Sequence, residues 1–300
     1  MLTINPKDVS VPQLHGYLLG AIAPRPIAFA STVDAEGNVN LSPFSFFNVF
    51  GANPPTLIFS PARRVRDNTT KHTLSNVEEV NEVVINIVDH PMVEQMSLAS
   101  SEYPKGVNEF IKAGLTEQPS ESVRPPRIAE APAAFECTVK QVIPLGNEGG
   151  AGNLIVCEVV LAHFQDHILG SDGKIDPHKL DSVARMGGDW YCRAQGSALF
   201  TLPKPNRNLG MGMDQLPDSI RNSTVLTGNQ LARLANAHTL PEPEAITQYQ
   251  ETETAKEIYE RFGHHQDTFQ FHTHQKAAEL LEAGNIEEAW LVLSMPSPSH

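Results

Sequence analysis

One stretch, residues 25–61, decides the fold that the sequence predicts: RPIAFASTVDAEGNVNLSPFSFFNVFGANPPTLIFSP. Small, apolar and β-branched residues at 27–33 predict a strand, and the DAEGN segment after them is typical of a hairpin loop leading to a second strand at 39–42. Two prolines then precede a third predicted strand at 56–60. The stretch therefore predicts three short strands whose loops are rich in serine, asparagine and proline.

The residues that follow extend this β-rich pattern. Residues 83–88 predict a strand, and short helices are predicted at 92–99 and 107–113. Two longer segments, 135–143 and 153–164, have the alternation of half-buried antiparallel strands. Strands joined by hairpins, with few helices between them, predict a mainly β fold built as an antiparallel barrel rather than a doubly wound sheet.

A helical pattern replaces the strand pattern in the last third of the chain. Pro203 and Pro205 predict a linker, and segments such as 246–262 have apolar residues at helical spacing. We therefore predict two domains, a barrel domain at 1–205 and an α-helical C-terminal appendage at 211–295.

The composition excludes several classes of function. A net charge of −13 over 300 residues argues against binding of nucleic acid, which requires a basic face, although a few local arginines suffice for a phosphate-bearing ligand. The three cysteines are widely spaced, so they predict no disulfide framework and favour a reducing compartment. No apolar run reaches the ~18 residues that a membrane-spanning helix requires. We expect a cytoplasmic protein that does not bind membranes.

The common nucleotide and hydrolase motifs are absent from the sequence. It contains no strand-GxGxxG-helix fingerprint, no Walker A motif and no GxSxG nucleophile elbow. The glycines at 146–152 lie between two predicted strands with no helix after them, so they indicate a hairpin loop rather than a phosphate cradle.

Four histidines in the C-terminal segment are dense enough to raise the question of a metal site. They have no partner cysteines and lie in a polar segment, so we expect exposed surface side chains and no metal site; they are His264, His265, His272 and His274.

The segment SPFSFFN at 42–48 is the first candidate for ligand binding. Its phenylalanines, Phe44, Phe46 and Phe47, are also explained by a hydrophobic core. Its hydroxyl groups and the Asn48 amide are harder to explain in that way. A loop with backbone donors beside aromatic side chains suits a flat heteroaromatic ring.

A basic segment follows the third predicted strand and is the second candidate. Asp67 or Asn68 is positioned to cap a predicted helix that runs toward Leu74, and Arg63, Arg64 and Arg66 bring positive charge to its start. A helix N-terminus with nearby arginines is suited to a phosphate group, whereas the alternative is a solvated capping turn. The two candidates together, joined by one short strand, favour a ligand with a flat ring and a phosphate.

The sequence also resembles a known family. The runs RPIAFASTVDAEGNVNLSPFSFFN, PPTLIFSP and RDNTTKHTLSN are followed in order by EEVNEVVINIV, ASSEYPKGVNEFIKAGL and RMGGDWY. Together they resemble the flavin reductase-like FMN-binding split-barrel family over roughly residues 10–200. The resemblance implies a Greek-key split β-barrel, a homodimer with FMN near its interface, and NAD(P)H-dependent flavin reduction or related electron transfer.

The resemblance further implies which residues bind FMN. It assigns the ring-facing loop to Ser42, Pro43, Phe44 and Ser45, and backbone contacts to Ala30, Ser31 and Thr32. It assigns the phosphate side to Phe59, Ser60, Pro61, Arg66 and Asp67, although Asn68 separates Asp67 from Thr69 in a pair that is adjacent in the family. The charge and donors of the basic segment add Arg64, Asn68 and Thr69 to this side. Ser101, Tyr103 and Gly106 match a middle loop that lines the ring or the partner subunit, and Arg185, Met186, Gly187 and Gly188 match a late motif near the site.

Three functions are consistent with this reading. The first is an FMN-dependent NAD(P)H oxidoreductase, including the reductase component of a two-component monooxygenase. The second is an FMN-holding electron carrier, and the third is a non-catalytic flavin-binding module that docks a protein partner through the C-terminal helices. Because the flavin carries the hydride chemistry, we assign no catalytic residue and no metal.

Overall fold

The structure is a computed structural model that describes residues 1–202 and 209–297. The chain forms two compact units, Met1–Phe200 and Thr201–His300. The predicted linker prolines, Pro203 and Pro205, lie outside the described residues.

The first unit is built on a seven-stranded sheet in which every neighbouring pair is antiparallel. Its strands are β1 (Ala28–Val33), β2 (Val39–Phe44), β3 (Phe47–Ala52), β4 (Pro55–Phe59), β5 (Glu82–Ile87), β8 (Ala133–Pro144) and β9 (Asn153–Phe164). They lie in the order β2-β1-β5-β8-β9-β4-β3. The two edge strands, β2 and β3, are consecutive in the chain, with only Ser45 and Phe46 between them.

Helices and two short hairpins complete this unit. The helices are α1 (Val11–Ala21), α2 (His72–Glu79), α3 (Val93–Ala99), α4 (Glu109–Ala113) and α5 (Pro177–Leu180). The hairpins are β6 (Glu117–Gln118) with β7 (Arg127–Ile128), and β10 (Val183–Arg185) with β11 (Tyr191–Arg193).

Strand β1 separates two hydrophobic cores because its successive side chains point to opposite faces of the sheet. Ala28 and Ala30 pack with residues of α2 such as Leu74. Phe29, on the other face, packs with residues of α3 and α4 such as Phe110. Small, β-branched and aromatic residues therefore make β1 the buried centre of the fold.

The segment SPFSFFN is not the loop that the sequence predicts. Ser42 to Phe44 belong to β2, and Phe47 begins β3, a strand that the sequence analysis missed. Because β3 is a largely exposed edge strand with a register shift between Val49 and Gly51, it lacks the alternation that identifies a half-buried strand.

The basic segment does not open a helix. Helix α2 begins at His72, with Lys71 at its N-cap position, so neither Asp67 nor Asn68 caps it. Asn68 instead adopts a left-handed conformation with φ of 57°, which turns the chain before the helix can start.

The second unit consists of helices around one hydrophobic core. They are α6 (Asp218–Arg221), α7 (Gly228–Ala235), α8 (Pro243–Gln250), α9 (Glu253–Phe262), α10 (Gln266–Glu282) and α11 (Ile286–Leu293). The predicted helical segment 246–262 is interrupted, because the Thr252 hydroxyl accepts a hydrogen bond from the backbone N–H of Ala255 and starts α9 as a new helix.

Across residues 1–202 and 209–297, none of the helices combines the length and the apolar character needed to cross a membrane.

Candidate functional site

Residues 63–70, here called the basic turn, are held together by their own arginines. The Arg64 Nη1 donates hydrogen bonds to the Thr69 hydroxyl at 2.9 Å and to the Thr70 carbonyl at 2.8 Å. Arg63 donates to the side-chain and backbone oxygens of Asn68 at 2.6 and 2.7 Å. These contacts fix the turn and leave other edges of its arginines available for contacts outside it.

Asp67 closes the same turn from within. One of its carboxylate oxygens accepts hydrogen bonds from the Thr69 hydroxyl at 2.6 Å and from the Thr69 backbone N–H at 3.1 Å. These two bonds, followed by the one from Arg66, lower the pKa of Asp67 to about 2. Asp67 is therefore a structural anion of the turn.

The glycine-rich loop between β8 and β9 supports the basic turn from outside. Asn68 donates to the Asn147 carbonyl at 2.9 Å, and the Gly150 backbone N–H donates to the Arg63 carbonyl at 2.9 Å. A Cβ atom added at Gly149 would lie 3.0 Å from the Arg64 carbonyl and from the Val65 Cα atom. The loop is a hairpin loop, as predicted, and its lack of side chains permits this close approach.

Lys71 connects the basic turn to strand β2. Its ammonium group lies 3.3 Å from the Ser42 hydroxyl and 5.0 Å from the centre of the Phe44 ring. No carboxylate among residues 1–202 and 209–297 forms an ion pair with it within 4.0 Å. Burial, and after it the charge of Arg64, lowers the pKa of Lys71. Because a desolvated charge normally has a partner, this ammonium group points to an anionic ligand.

A buried polar network fixes the start of α2 and hence the position of Lys71. The Asn40 side chain donates to the Thr73 hydroxyl at 3.0 Å, and the Asn76 side chain donates to the Thr32 hydroxyl at 3.1 Å. All four residues are buried. The network therefore ties α2 to both β1 and β2.

The middle loop between α3 and α4 reaches the same place through Glu102. One Glu102 oxygen lies 3.0 Å from the Arg64 Nε, and the other contacts a terminal nitrogen of Arg66. Ser101 and Glu102 are exposed, whereas Tyr103 is half-buried with the Lys112 ammonium 5.8 Å from its ring centre. Ser101 and Tyr103 thus border the basic turn by way of the residue between them.

Glu109 anchors the far end of the middle loop to the sheet edge. Its carboxylate accepts a hydrogen bond from the Leu41 backbone N–H at 2.9 Å, and burial raises its pKa. Pro43, two residues after Leu41 on the same edge strand, has no backbone N–H and so needs no such partner. The middle loop is therefore attached at both of its ends, to the basic turn and to β2.

The remaining residues predicted to bind FMN are more buried. Ala30 and Ser31 pair with β2 on one side and β5 on the other, whereas Thr32 pairs only with β2. The side chains of these three residues and of Phe59 have no exposed surface. Ser60 and Pro61 are buried at the end of β4, and Pro43 and Ser45 are half-buried.

The late motif forms structural contacts. The Arg25 guanidinium donates to the carbonyls of Leu19, Ile22 and Met186 at 2.7, 2.6 and 2.9 Å. A Cβ atom added at Gly187 would lie 3.0 Å from the Gly20 Cα atom. These contacts attach the end of α1 to the segment around β10.

The structure thus brings several predicted residues together around a lysine that sequence reasoning missed. We call Arg64, Arg66, Lys71, Ser42 and Thr69 the cationic cluster. The cluster combines three cations and two hydroxyl groups, and its Lys71 lies over the Phe44 ring, so it is suited to an anion attached to a planar ring. The sequence signal that could have found Lys71 is its place in the run RDNTTKHTLSN, directly after Thr69 and Thr70.

The four C-terminal histidines differ in their surroundings. His274 is buried rather than exposed as predicted, and its Nδ1 lies 2.7 Å from the Ser223 hydroxyl. His272 stacks on Phe262 with ring centres 3.5 Å apart. Within the described parts of the chain, no group of three or more His, Cys, Asp or Glu residues is placed to hold a metal ion.

Comparisons with known proteins identify the family to which the first unit is similar. Residues 20–176 match the family described as flavin reductase like domain. An uncharacterized protein of Halalkalibacterium halodurans is 38% identical over 206 residues, which are 68% of this chain and 97% of the relative. Nitrilotriacetate monooxygenase component B of Bacillus cereus is 33% identical with a TM-score of 0.63, and the match covers 67% of this chain and 98% of that one.

A protein with a split barrel domain from Shewanella frigidimarina shares the fold. Its TM-score is 0.57 at 24% identity, over 68% of this chain and 100% of that one. The chain therefore belongs to the flavin reductase-like FMN-binding split-barrel family.

Proposed function

We propose that this protein is an FMN-dependent NAD(P)H oxidoreductase that acts as a flavin reductase. The single observation that carries the proposal is the position of Lys71, which links Ser42 and Phe44 to the arginines of the basic turn. The ammonium group lacks an ion-pair partner among the described residues, so the cluster fits a ligand that is both aromatic and anionic. When bound, the flavin would supply the hydride-accepting centre.

The residues of the cluster have binding and orienting roles in this proposal. Arg64 and Arg66 hold the terminal phosphate, since guanidinium groups form strong charge-assisted bonds with phosphate oxygens. Lys71 and Ser42 orient a polar edge of the ligand, and Phe44 packs beside it. The buried residues Ala30, Ser31 and Phe59 pack behind β2 and Phe44 and hold them in place. A terminal phosphate recognised by arginines favours FMN as the ligand.

We also propose a homodimer and a protein partner. Apolar side chains are exposed on α1, just after it and on β3, among them Leu18, Ile22, Val49 and Phe50. His15 of α1 lies against Phe46, next to β3, with ring centres 6.2 Å apart. Exposed apolar side chains that are grouped in this way are typical of an interface. The similarity to a monooxygenase component supports a monooxygenase as the electron acceptor. Light scattering of the purified protein tests for the dimer.

The architecture belongs to the same proposal. We propose that the sheet is a Greek-key split barrel, because β1 pairs with β5 and β4 with β9 although these strands are distant in sequence. Residues 211–295 are proposed as a helical appendage to it. The three free cysteines, two of them buried, support a cytoplasmic location.

A visible spectrum followed by anaerobic addition of NADH or NADPH tests the function. We expect a yellow protein, or one that becomes yellow with added FMN, whose absorbance bleaches with a nicotinamide donor. A colourless protein whose melting temperature does not rise with FMN would contradict the proposal and both alternatives.

The alternatives are an FMN-holding electron carrier and a non-catalytic flavin-binding module. They remain candidates because the helical unit lies outside the region that matches the family, residues 20–176. A carrier would stay yellow with NADH and bleach only with a reduced partner protein. The absorbance of a non-catalytic module would bleach neither with NADH nor with a reduced partner protein.

A further inference from the structure

Glu102 holds both arginines that we propose as phosphate ligands. Its carboxylate contacts the Arg64 Nε at 3.0 Å with one oxygen and Arg66 with the other. Glu102 lies on the middle loop, whereas the arginines lie on the basic turn. One carboxylate therefore joins two segments that are far apart in sequence.

The contacts of Arg64 show which of its edges a ligand could use. Its Nη1 is already occupied within the turn by Thr69 and Thr70. Its Nε, on the other side of the guanidinium group, donates a hydrogen bond to Glu102. Arg66 likewise has one partner within the turn and one outside it: its Nε contacts Asp67 at 3.1 Å, and a terminal nitrogen contacts Glu102. Glu102 therefore occupies one donor nitrogen of each arginine, in addition to the bonds that each arginine makes within the turn.

A carboxylate bridging two guanidinium groups resembles a bound phosphate in charge and geometry, because both anions accept paired N–H bonds from arginine. The Glu102 side chain is 48% exposed, that of Arg66 is 66% exposed and that of Arg64 is 21% exposed, so water reaches both ion pairs through Glu102. Exposed ion pairs are weak, so Glu102 can leave for water at little cost. Two anions cannot share these donors without strong repulsion.

We propose that Glu102 is an internal competitor for the phosphate of the flavin and thereby regulates the site. Binding of a phosphate-bearing ligand displaces Glu102 from Arg64 and Arg66, and this displacement detaches the Glu102 end of the middle loop, next to Tyr103, while Glu109 still holds the other end. A ligand with the same ring but no phosphate leaves Glu102 in place. The inference rests on the proposed function, since it assumes that flavin binds at the cationic cluster.

The test compares FMN and riboflavin binding to the unaltered protein and to its Glu102→Gln variant. Glu94→Gln is the matched control. Glu94 is also exposed and contacts no arginine among the described residues, so its substitution removes the same charge without breaking an ion pair. We expect Glu102→Gln to bind FMN about 2- to 10-fold more tightly than Glu94→Gln, as two exposed ion pairs predict, with riboflavin affinity unchanged. The difference should shrink at high salt.

The outcomes separate the inference from the function. If Glu102→Gln binds FMN no more tightly than the control, or gains equally for riboflavin, then Glu102 does not compete with phosphate and the inference is wrong while the function stands. If neither flavin binds to the unaltered protein, the proposed function itself fails. Melting curves of all three proteins check that they are equally folded.

Discussion

The basic turn and the histidine segment at 264–274 are both dense in functional side chains in the sequence, but these side chains make different contacts in the structure. In the basic turn, charged groups meet groups from β2 and the middle loop, and Lys71 is left without an ion-pair partner among the described residues. In the histidine segment, His274 is buried against Ser223 and His272 stacks on Phe262. A dense run of functional side chains forms a candidate site where several strands and loops bring such side chains together and one charged group has no ion-pair partner.

The largest effect should come from removing Arg64 and Arg66 together. Replacing both with alanine removes the proposed phosphate donors, so FMN affinity should fall on the order of 10- to 100-fold, since a hydrogen bond to a charged group contributes strongly to binding. Fluorescence titration with FMN and riboflavin measures this, and riboflavin affinity should change little. The matched control replaces Arg124 and Arg261, two exposed arginines in single ion pairs elsewhere. Equal losses in both double variants would refute the assignment of the phosphate site.

His274→Ala should act on stability and not on ligand binding. The substitution removes the hydrogen-bond partner of the Ser223 hydroxyl in a buried position, which should lower the free energy of unfolding of the helical unit by about 1–3 kcal/mol. Urea unfolding followed by tryptophan fluorescence measures this in a Trp190→Phe background, because Trp290 is then the only tryptophan and is buried in that unit.

His264→Ala is the matched control, since His264 is exposed and its loss should leave stability within about 0.5 kcal/mol. If both variants were equally stable, or if His274→Ala weakened FMN binding, the contrast between the two regions would not hold.

A several-fold loss of FMN affinity is expected from Gly149→Ala. The added Cβ would meet the Arg64 carbonyl and the Val65 Cα at 3.0 Å, so the basic turn must shift. Gly228→Ala, which meets nothing within 4 Å, controls for a glycine substitution. Titration with FMN should detect the loss for Gly149→Ala alone, and unchanged affinity would show that the loop does not position the turn.

The smallest effect should be the pH dependence of the helical unit. Burial lowers the pKa of His274 from its usual 6.5, so the unfolded chain binds a proton more readily than the folded one. Stability from this group is therefore fully present above about pH 6.5 and is lost as the pH falls from there through the lowered pKa. Urea midpoints of the Trp190→Phe protein across this range should fall toward acid pH, and His274→Gln should reduce the slope. An unchanged slope would contradict the assignment.

The sequence predicted much of the first unit because the evidence there is local. The strand β1 follows from small and β-branched residues, and the strands β8 and β9 were predicted at 135–143 and 153–164 from the alternation of apolar and polar residues. Edge strand β3 was missed because exposure removes that alternation. The start of α2 was misplaced because Asp67 and Asn68 have good capping chemistry, but their bonds within the turn compete with a helix.

The sequence by itself determined the family, the β-rich order of the first unit and the presence of arginines after β4, since these depend on residue types and on short-range spacing. Only the tertiary structure decided that Lys71 faces Ser42, that Glu102 bridges Arg64 and Arg66, and that His274 is buried. These contacts join residues that are 29, 36, 38 and 51 positions apart. No periodicity encodes such pairs, because they depend on how the packed elements bring distant segments together.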